Sequence, residues 1–257
     1  MEGISIIIPV FNKLDATQKC IQHIRETKIS CDHEIIIVDN GSTDETQEFI
    51  LNDHKIIYIR NDTNLGVAKA LNAGAAEAGY DLLCFMHNDV FVYQENWPVI
   101  IRKFIRENPG AGVVGLYGAK TIRADSSFRG KSIVHAKRDN PSLRKPCEKV
   151  AILDGLLQAM RKSVFDMVGG FSDEFIMHFY DKDMSLKVLT AGFTNYVLNI
   201  PFEHFSATTR TDMREDDSIR DKAKGKFLAI WAESLPVDVT TWRERIGYLL
   251  KDRGTGN

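Results

Sequence analysis

Four cysteines in 257 residues, at positions 20, 31, 84 and 147, form neither a C-x-x-C pair nor a zinc-binding spacing. A disulfide scaffold and a zinc ribbon are excluded, and four buried thiols in a reducing compartment are expected. No run approaches the roughly 18 apolar residues needed to cross a bilayer. Met1-Glu2-Gly3 leads straight into a strand-like run, without the basic stretch and cleavage site of a secretory signal. Cytoplasmic residence follows as the expectation. Seven prolines and no glycine period rule out collagen-like and low-complexity chains. Charge of one sign is also missing: 33 basic against 35 acidic residues leave −2. A protein wholly devoted to polyanions is usually strongly basic.

What is present is an ordinary globular composition, 44% hydrophobic and 26% charged. The length suits one large α/β domain with an appendage, or two domains. Ile4 to Val10 is a nearly continuous β-branched run, the mark of a strand covered on both faces. A helix is expected over 14–28, a second buried strand over Glu34 to Val38, then a turn and helix N-cap in Asp39-Asn40-Gly41-Ser42-Thr43-Asp44. A helix to Asn52, a strand from Lys55 to Arg60, a small-residue helix from Val67 to Ala78 and a strand from Leu82 to Met86 follow. Four strand-then-helix units predict a parallel sheet with helices on both faces. Ligands bind such sheets outside the carboxyl ends of the strands, where the polar clusters at Phe11-Asn12, Asp39 to Ser42 and His87-Asn88-Asp89 should converge.

The second half is less regular. A helix from Trp97 to Glu107 precedes the apolar run Val113 to Leu116, and a strand with a short helix is expected between Ala151 and Val168. Residues 120–149 carry nine basic side chains against three acids, a local +6, and read as a long loop or hairpin. A helix is expected over Asp181 to Ala191. Residues 207–257 read as a helical appendage, with Phe227, Leu228, Ile230, Trp231, Trp242, Ile246, Leu249 and Leu250 on amphipathic faces.

Three constellations are candidates for chemistry. Asn88-Asp89 after a buried strand suits a hard divalent cation held against a diphosphate, or a plain turn. The paired glycines of Gly169-Gly170-Phe171 precede Phe179-Tyr180-Asp181-Lys182-Asp183. Asp181 and Asp183 read either as a general base with a supporting acid or as first-turn carboxylates matching the helix dipole. His204, following Pro201-Phe202-Glu203, reads as a ligand or as a structural histidine.

In order along residues 3–206, strand-Pro-x-Phe-Asn, strand-Asp-Asn-Gly-Ser-Thr-Asp, Asn-x-Gly-x-Ala, x-Asn-Asp, Gly-Gly-Phe, Asp-x-Asp and a late His resemble the family 2 glycosyltransferases of the GT-A fold. The resemblance implies an α/β catalytic domain over 1–206, with a mixed, mainly parallel sheet flanked by helices, and a helical C-terminal extension over 207–257. It implies that Pro9, Val10, Phe11 and Asn12 border the donor nucleotide, that Asp39 contacts the base with Gly41 and Ser42 in the next turn, and that Asn64, Gly66, Lys69 and Asn72 line the diphosphate side. Asn88, Asp154 and Gly155 also fall on the donor. Asp89 and His204 match metal ligands for Mn²⁺ or Mg²⁺; His87 stands where the family's first Asp is usual, and its part stays open. Asp181 matches the catalytic base, with Tyr180 replacing the common Glu.

The implied reaction is an inverting, metal-dependent transfer from a nucleotide-diphosphate sugar, a UDP- or dTDP-sugar by family habit, to an acceptor hydroxyl. The alternatives are a non-catalytic sugar-nucleotide-binding domain and a nucleotidyltransferase, whose Gly-rich first loop the Pro9 to Lys13 segment lacks. The +6 segment raises an anionic acceptor, either DNA with a hydroxyl-modified base or a phosphorylated glycolipid. The extension packs on the catalytic domain, forms a dimer surface or touches a membrane.

Overall fold

The computed structural model describes residues 3–129, 145–205 and 213–245, with the side chains of 213–216 left aside. In chain order the elements are β1 (Gly3–Val10), α1 (Leu14–Glu26), β2 (Asp32–Asp39), α2 (Thr46–Leu51), β3 (Ile56–Arg60), α3 (Val67–Glu77), β4 (Leu82–Met86), β5 (Val90–Val92) and α4 (Trp97–Glu107). There follow β6 (Ala111–Gly115), β7 (Gly118–Ala119), β8 (Thr121–Ile122), β9 (Phe128–Arg129), β10 (Cys147–Val150), β11 (Ile152–Leu153) and β12 (Leu157–Arg161). The chain closes with α5 (Lys162–Met167), α6 (Tyr180–Thr190), β13 (Thr194–Leu198), β14 (Phe202–His204), α7 (Met213–Trp231) and β15 (Val237–Asp238).

One eight-stranded sheet, ordered β10-β13-β6-β12-β4-β1-β2-β3, forms the centre. The strand-helix units of the first half give the parallel block β4-β1-β2-β3. Beyond it β12 runs antiparallel to both β4 and β6. Strand β1 explains why both faces are covered. Ile4, Ile6 and Ile8 point to one side, into a core shared with Cys20, Ile21 and Ile24 of α1 and Trp97 and Ile101 of α4. Ile7 points to the other side, toward Leu71 and Ala75 of α3 and Met184 of α6. Each fully buried isoleucine contributes about 1.5–3 kcal/mol, so this strand alone anchors the sheet.

The C-terminal segment is helical only in part. Phe227 and Trp231 of α7 are buried in the same core as α3 and α6, and β15 pairs with β8 in a small three-stranded sheet. Apolar spacing signalled the helix, but a two-residue strand has no period to read. Trp242 is 67% exposed rather than packed, and Ile246, Leu249 and Leu250 lie outside the described residues. Cys20 and Cys84 are buried, as expected of all four thiols, but Cys31, just before β2, and Cys147, at the start of the edge strand β10, are only half-buried. All four are free.

The +6 segment is depleted at its start. Lys120 is buried, its ammonium 2.9 Å from Glu148 and paired also with Glu244, so it ties the C-terminal segment to β10 and offers nothing to an anion. Lys131, Lys137, Arg138 and Arg144 lie outside the described residues. Among the described residues, no helix is long and apolar enough to cross a membrane.

Candidate active site

The first strand-end cluster is built by hydrogen bonds between turns. Asn12 and Lys13 take positive φ, 55° and 63°, which turns the chain sharply out of β1 into α1. The amide of Asn12 donates to Ser42 Oγ at 2.7 Å, and its own Oδ1 accepts from the Thr43 amide at 2.8 Å. Val10 is buried and contributes its carbonyl to the Asn40 amide at 2.7 Å. Phe11 is 46% exposed beside them.

Asp39 differs from expectation in what it can touch. It is 0% exposed. Its Oδ1 accepts from the Ser42 amide at 2.8 Å, and its Oδ2 from the Tyr58 hydroxyl at 2.7 Å and from Arg60. Arg60 also donates to the Ser42 carbonyl at 2.9 Å. The carboxylate is therefore an anchor for Arg60, and the arginine, 31% exposed, faces outward. Both partners sit on β3, whose residues carry no motif of their own.

Asn40, read from sequence only as part of the strand-end turn, does more. It links Asn61, Asn64, Leu65 and the Gly66 carbonyl through its amide group, fixing the path into α3. Gly66 takes φ 88°, and an added Cβ would lie 2.6 Å from Ile176. Lys69 stands exposed in the first turn of α3. Asn72 gives both ends of its amide to the backbone of Phe171, at 2.8 and 2.9 Å. It clamps the Gly-Gly-Phe turn, and its polar atoms are used there rather than on a diphosphate. Asn88 similarly ties its turn to Thr17 of α1 at 3.0 Å.

Strand β4 delivers the metal-ligand candidates. His87, Asp89 and His204 bring one ligand atom each within 4.8 Å of the others. His204 reaches the cluster because β14 pairs with β5, opposing His204 to Val90, and its Nε2 lies 3.1 Å from Asp89 Oδ1. Burial opposes ionisation of Asp89, but the His204 hydrogen bond and charge hold its pKa below the usual range. Burial likewise works against a charged His204, and the Asp89 contact overcomes it, raising the pKa. Burial lowers the pKa of His87, keeping the imidazole neutral and ready to ligate. The His87 Nε2 is 2.8 Å from the Tyr180 hydroxyl, which leaves Nδ1 for a metal. A hydrogen bond on the remote ring nitrogen is the usual way a ligating histidine is oriented. Two imidazoles and one carboxylate suit a first-row transition ion such as Mn²⁺ better than Mg²⁺, which prefers oxygen alone.

Asp181 opens α6, reached through Phe179 at φ 69°. Its oxygens accept from the amides of Lys182 at 2.9 Å and Gly155 at 3.1 Å. Gly155 is needed here: a Cβ would stand 2.1 Å from the Tyr180 hydroxyl. Burial, then the neighbouring Asp154, push the Asp181 pKa up to about 6, against the opposing Lys182. Burial also raises Asp154. The acid that acts on Asp181 is thus Asp154. Asp183 is 1% exposed and faces away, accepting from the Trp231 indole at 3.0 Å and lying 3.1 Å from Lys187. Asp154, Asp181 and Lys182 open into a pocket walled by Tyr117, Ile152 and Phe128. The Lys182 ammonium lies 4.2 Å from the Phe179 ring and 5.3 Å from that of Phe128.

A mixed sheet with a carboxylate-histidine cluster at the end of β4 defines the class as a GT-A-type glycosyltransferase fold. Solved structures of that class superpose. A mannosyltransferase from Pyrobaculum calidifontis, in complex with GDP-Man and Mn²⁺, matches 78% of this chain and 55% of its own, with TM-score 0.58 and 16% identity. GalNAc-T7 with UDP, GalNAc and Mn²⁺ matches 79% and 44%, with TM-score 0.65 and 15% identity. The family model of glycosyl transferase family 2 matches residues 5–169, and the chain belongs to that family. Poly-beta-1,6-N-acetyl-D-glucosamine synthase of Staphylococcus epidermidis is 27% identical over 186 residues, 68% of this chain and 43% of the relative. The synthase of that name from Staphylococcus aureus is 31% identical over 134 residues, 51% of this chain and 32% of the relative. The chain spans less than half the length of these curated relatives.

Proposed function

We propose that the chain is an inverting, metal-dependent glycosyltransferase that uses a nucleotide-diphosphate sugar, with residues 1–206 as the catalytic unit and 207–257 as an extension. The observation that carries this reading is the placement of Asp181, a carboxylate with its pKa pushed up to about 6, in a pocket beside the His87-Asp89-His204 cluster. A base is most useful when its pKa lies near the working pH. Asp181 removes the proton of an acceptor hydroxyl as that oxygen attacks the anomeric carbon. The bond from that carbon to the diphosphate oxygen breaks on the opposite face, and the nucleoside diphosphate leaves with the electron pair. One displacement inverts the configuration.

His87, Asp89 and His204 would hold the ion, Mn²⁺ by donor type, and Tyr180 orients His87. When bound, that ion supplies positive charge against the developing diphosphate charge. Lys69 adds a cation on the α3 side. Arg60, anchored on Asp39, would donate to a base carbonyl and Phe11 offers its ring to the base; a UDP- or dTDP-sugar is the donor by family habit.

The test is a hydrolysis screen over nucleotide sugars with Mn²⁺, followed by acceptor transfer with the active donor. Slow donor hydrolysis that EDTA abolishes and Mn²⁺ restores is expected. Asp181→Asn should lower transfer by about 10²–10⁴-fold while donor affinity changes little, the range that general-base catalysis contributes. Full activity in EDTA overturns the metal assignment, and an active Asp181→Asn enzyme overturns the base.

A further inference from the structure

The pocket that Asp181 itself lines is small, about 30 Å³. A water needs about 10–15 Å³ of such space, so the pocket admits a hydroxyl and the carbon that bears it, but not a whole ring. Whatever lies beyond that carbon rests at the rim. Phe128 stands there, lining the pocket and yet 45% exposed. One face of its ring meets the Lys182 ammonium at 5.3 Å, which ties the ring to the residue that follows the base.

Phe128 is held by a small sheet that the C-terminal segment completes. Strand β9 sets Phe128 opposite Ile122 of β8, and β15 pairs with the other edge of β8, setting Val237 opposite the same Ile122. The Thr121 hydroxyl donates to Asp238 Oδ1 at 3.1 Å, and the Val239 amide to the Lys120 carbonyl at 3.0 Å. Between β8 and β9 the turn is closed by Ser126 at φ 65° and by the Arg123 amide, 2.7 Å from the Ser127 carbonyl. The opposite wall leans on the same segment. Phe227 of α7 lies 5.1 Å from the ring of Phe179, and the Trp231 indole donates to Asp183 at 3.0 Å. Residues 227–239 therefore hold both Phe128 and the start of α6, which carries Asp181.

We propose that Phe128 seats the sugar ring of the acceptor at the mouth of the Asp181 pocket, and that β15, through β8, sets the place of that seat. The proposal rests on the glycosyltransferase reading and adds to it an acceptor-contacting residue and an acceptor class. A pyranose presents an apolar C–H face to a phenyl ring while one of its hydroxyls enters the pocket toward Asp181. The Lys182 ammonium, a donor of three hydrogen bonds, borders the same pocket and suits a second hydroxyl of that sugar. An alkyl alcohol has no such second group. The C-terminal segment is thus a working part of the acceptor site, with Asp238 and Thr121 as positioning residues that touch no substrate.

The full chain, with Mn²⁺ and the nucleotide sugar it hydrolyses fastest, is given methyl β-glycosides of N-acetylglucosamine, glucose, galactose and mannose. Hexanol and glycerol 3-phosphate serve as the alkyl and anionic alcohols. The readout is the ratio of sugar transferred to the alcohol over sugar lost to water. At least one glycoside should be captured, and better than either other alcohol. Phe128→Ala should lower its ratio by about 4- to 12-fold, the effect of losing half the burial free energy of a phenylalanine. Phe128→Tyr keeps the ring and should hold the ratio. Asp238→Ala, at an exposed position of β15, should lower it too, with circular dichroism confirming the fold; Thr121→Val, which removes only the hydroxyl of that bond, replaces it if Asp238→Ala is unfolded. A folding defect alone would lower transfer and hydrolysis together and leave the ratio unmoved. The seat is overturned if no glycoside is captured, if hexanol or glycerol 3-phosphate exceeds every glycoside, if Phe128→Ala leaves the ratio unchanged, or if Phe128→Tyr lowers it as much. An unchanged ratio in the folded β15 or β8 variant overturns the placing by the C-terminal segment. Absence of donor hydrolysis by the unmodified chain would remove the glycosyltransferase reading itself, whereas hydrolysis without capture would remove the seat alone.

Discussion

Replacing the proposed base should make the protein more stable. Asp181 carries its charge at a cost, because burial and Asp154 move its pKa from 3.8 to about 6. At about 1.36 kcal/mol per unit, the ionised form weakens the fold by roughly 3 kcal/mol at neutral pH. The folded state keeps this proton up to about pH 6, while the unfolded chain releases it near 3.8. The stabilising contribution is therefore full at low pH, declines between pH 4 and 6, and is absent above. Asn at 181 removes the charge but turns an amide N–H toward one of the two backbone amides, of Gly155 and Lys182, that the carboxylate accepts from. That mismatch returns about 1 kcal/mol. The net gain is about 2 kcal/mol, or a Tm increase of about 4–8 °C for a chain of this size. Thermal unfolding of wild type and Asp181→Asn is compared at pH 4 and pH 8, with EDTA throughout. A variant no more stable than wild type at pH 8 refutes the reasoning. So does an equal gap at both pH values, since charge would then not be its cause.

Gly155→Ala should drive its new Cβ against the Tyr180 hydroxyl, 2.1 Å away. Overpacking of this kind costs about 1–3 kcal/mol, and Mn²⁺ affinity should fall with it because Tyr180 orients His87; melting and a metal titration read both. Trp231→Phe removes the indole donor from the buried Asp183, which should destabilise by about 1–3 kcal/mol in chemical denaturation. The kcat/KM of the wild type should fall below an acid limb near pH 6. Asp154→Asn, by removing a neighbouring negative charge, should move that limb to lower pH.

The first half of the fold was legible because its strands are buried on both faces and its helices are amphipathic, two periods that survive in sequence. Trp97–Glu107 and Leu82–Met86 fall where the pattern puts them. The orientation of β12 was not legible, since a strand of five residues carries no direction in its sequence. Among site residues, His87 and Asp89 were marked by following a buried strand, and His204 came together with them through an antiparallel strand partner more than a hundred residues away. Arg60 and Tyr58 were not marked, because what gives them a part is their pairing register beside Asp39 on a neighbouring strand. The same limit misassigned the neighbour of Asp181. Asp183 is two residues away but points to Trp231, and Asp154 arrives from another turn. Asn72 sits in a donor-like motif, yet its amide is consumed by Phe171, which only coordinates reveal.

The contact of Tyr180 with His87, made over a residue that must be glycine, also constrains how this site could have changed through descent. A lone exchange of His87 for the aspartate usual in the family would set a carboxylate against a phenol buried beside two further acids. A lone exchange of Tyr180 for the common glutamate would bring a third carboxylate to Asp154 and Asp181 and strip His87 of its partner. While the tyrosine stays, any side chain at 155 would crowd its hydroxyl. Positions 87 and 180 are therefore expected to have moved together, and related sequences with Tyr at 180 should carry His at 87 and Gly at 155.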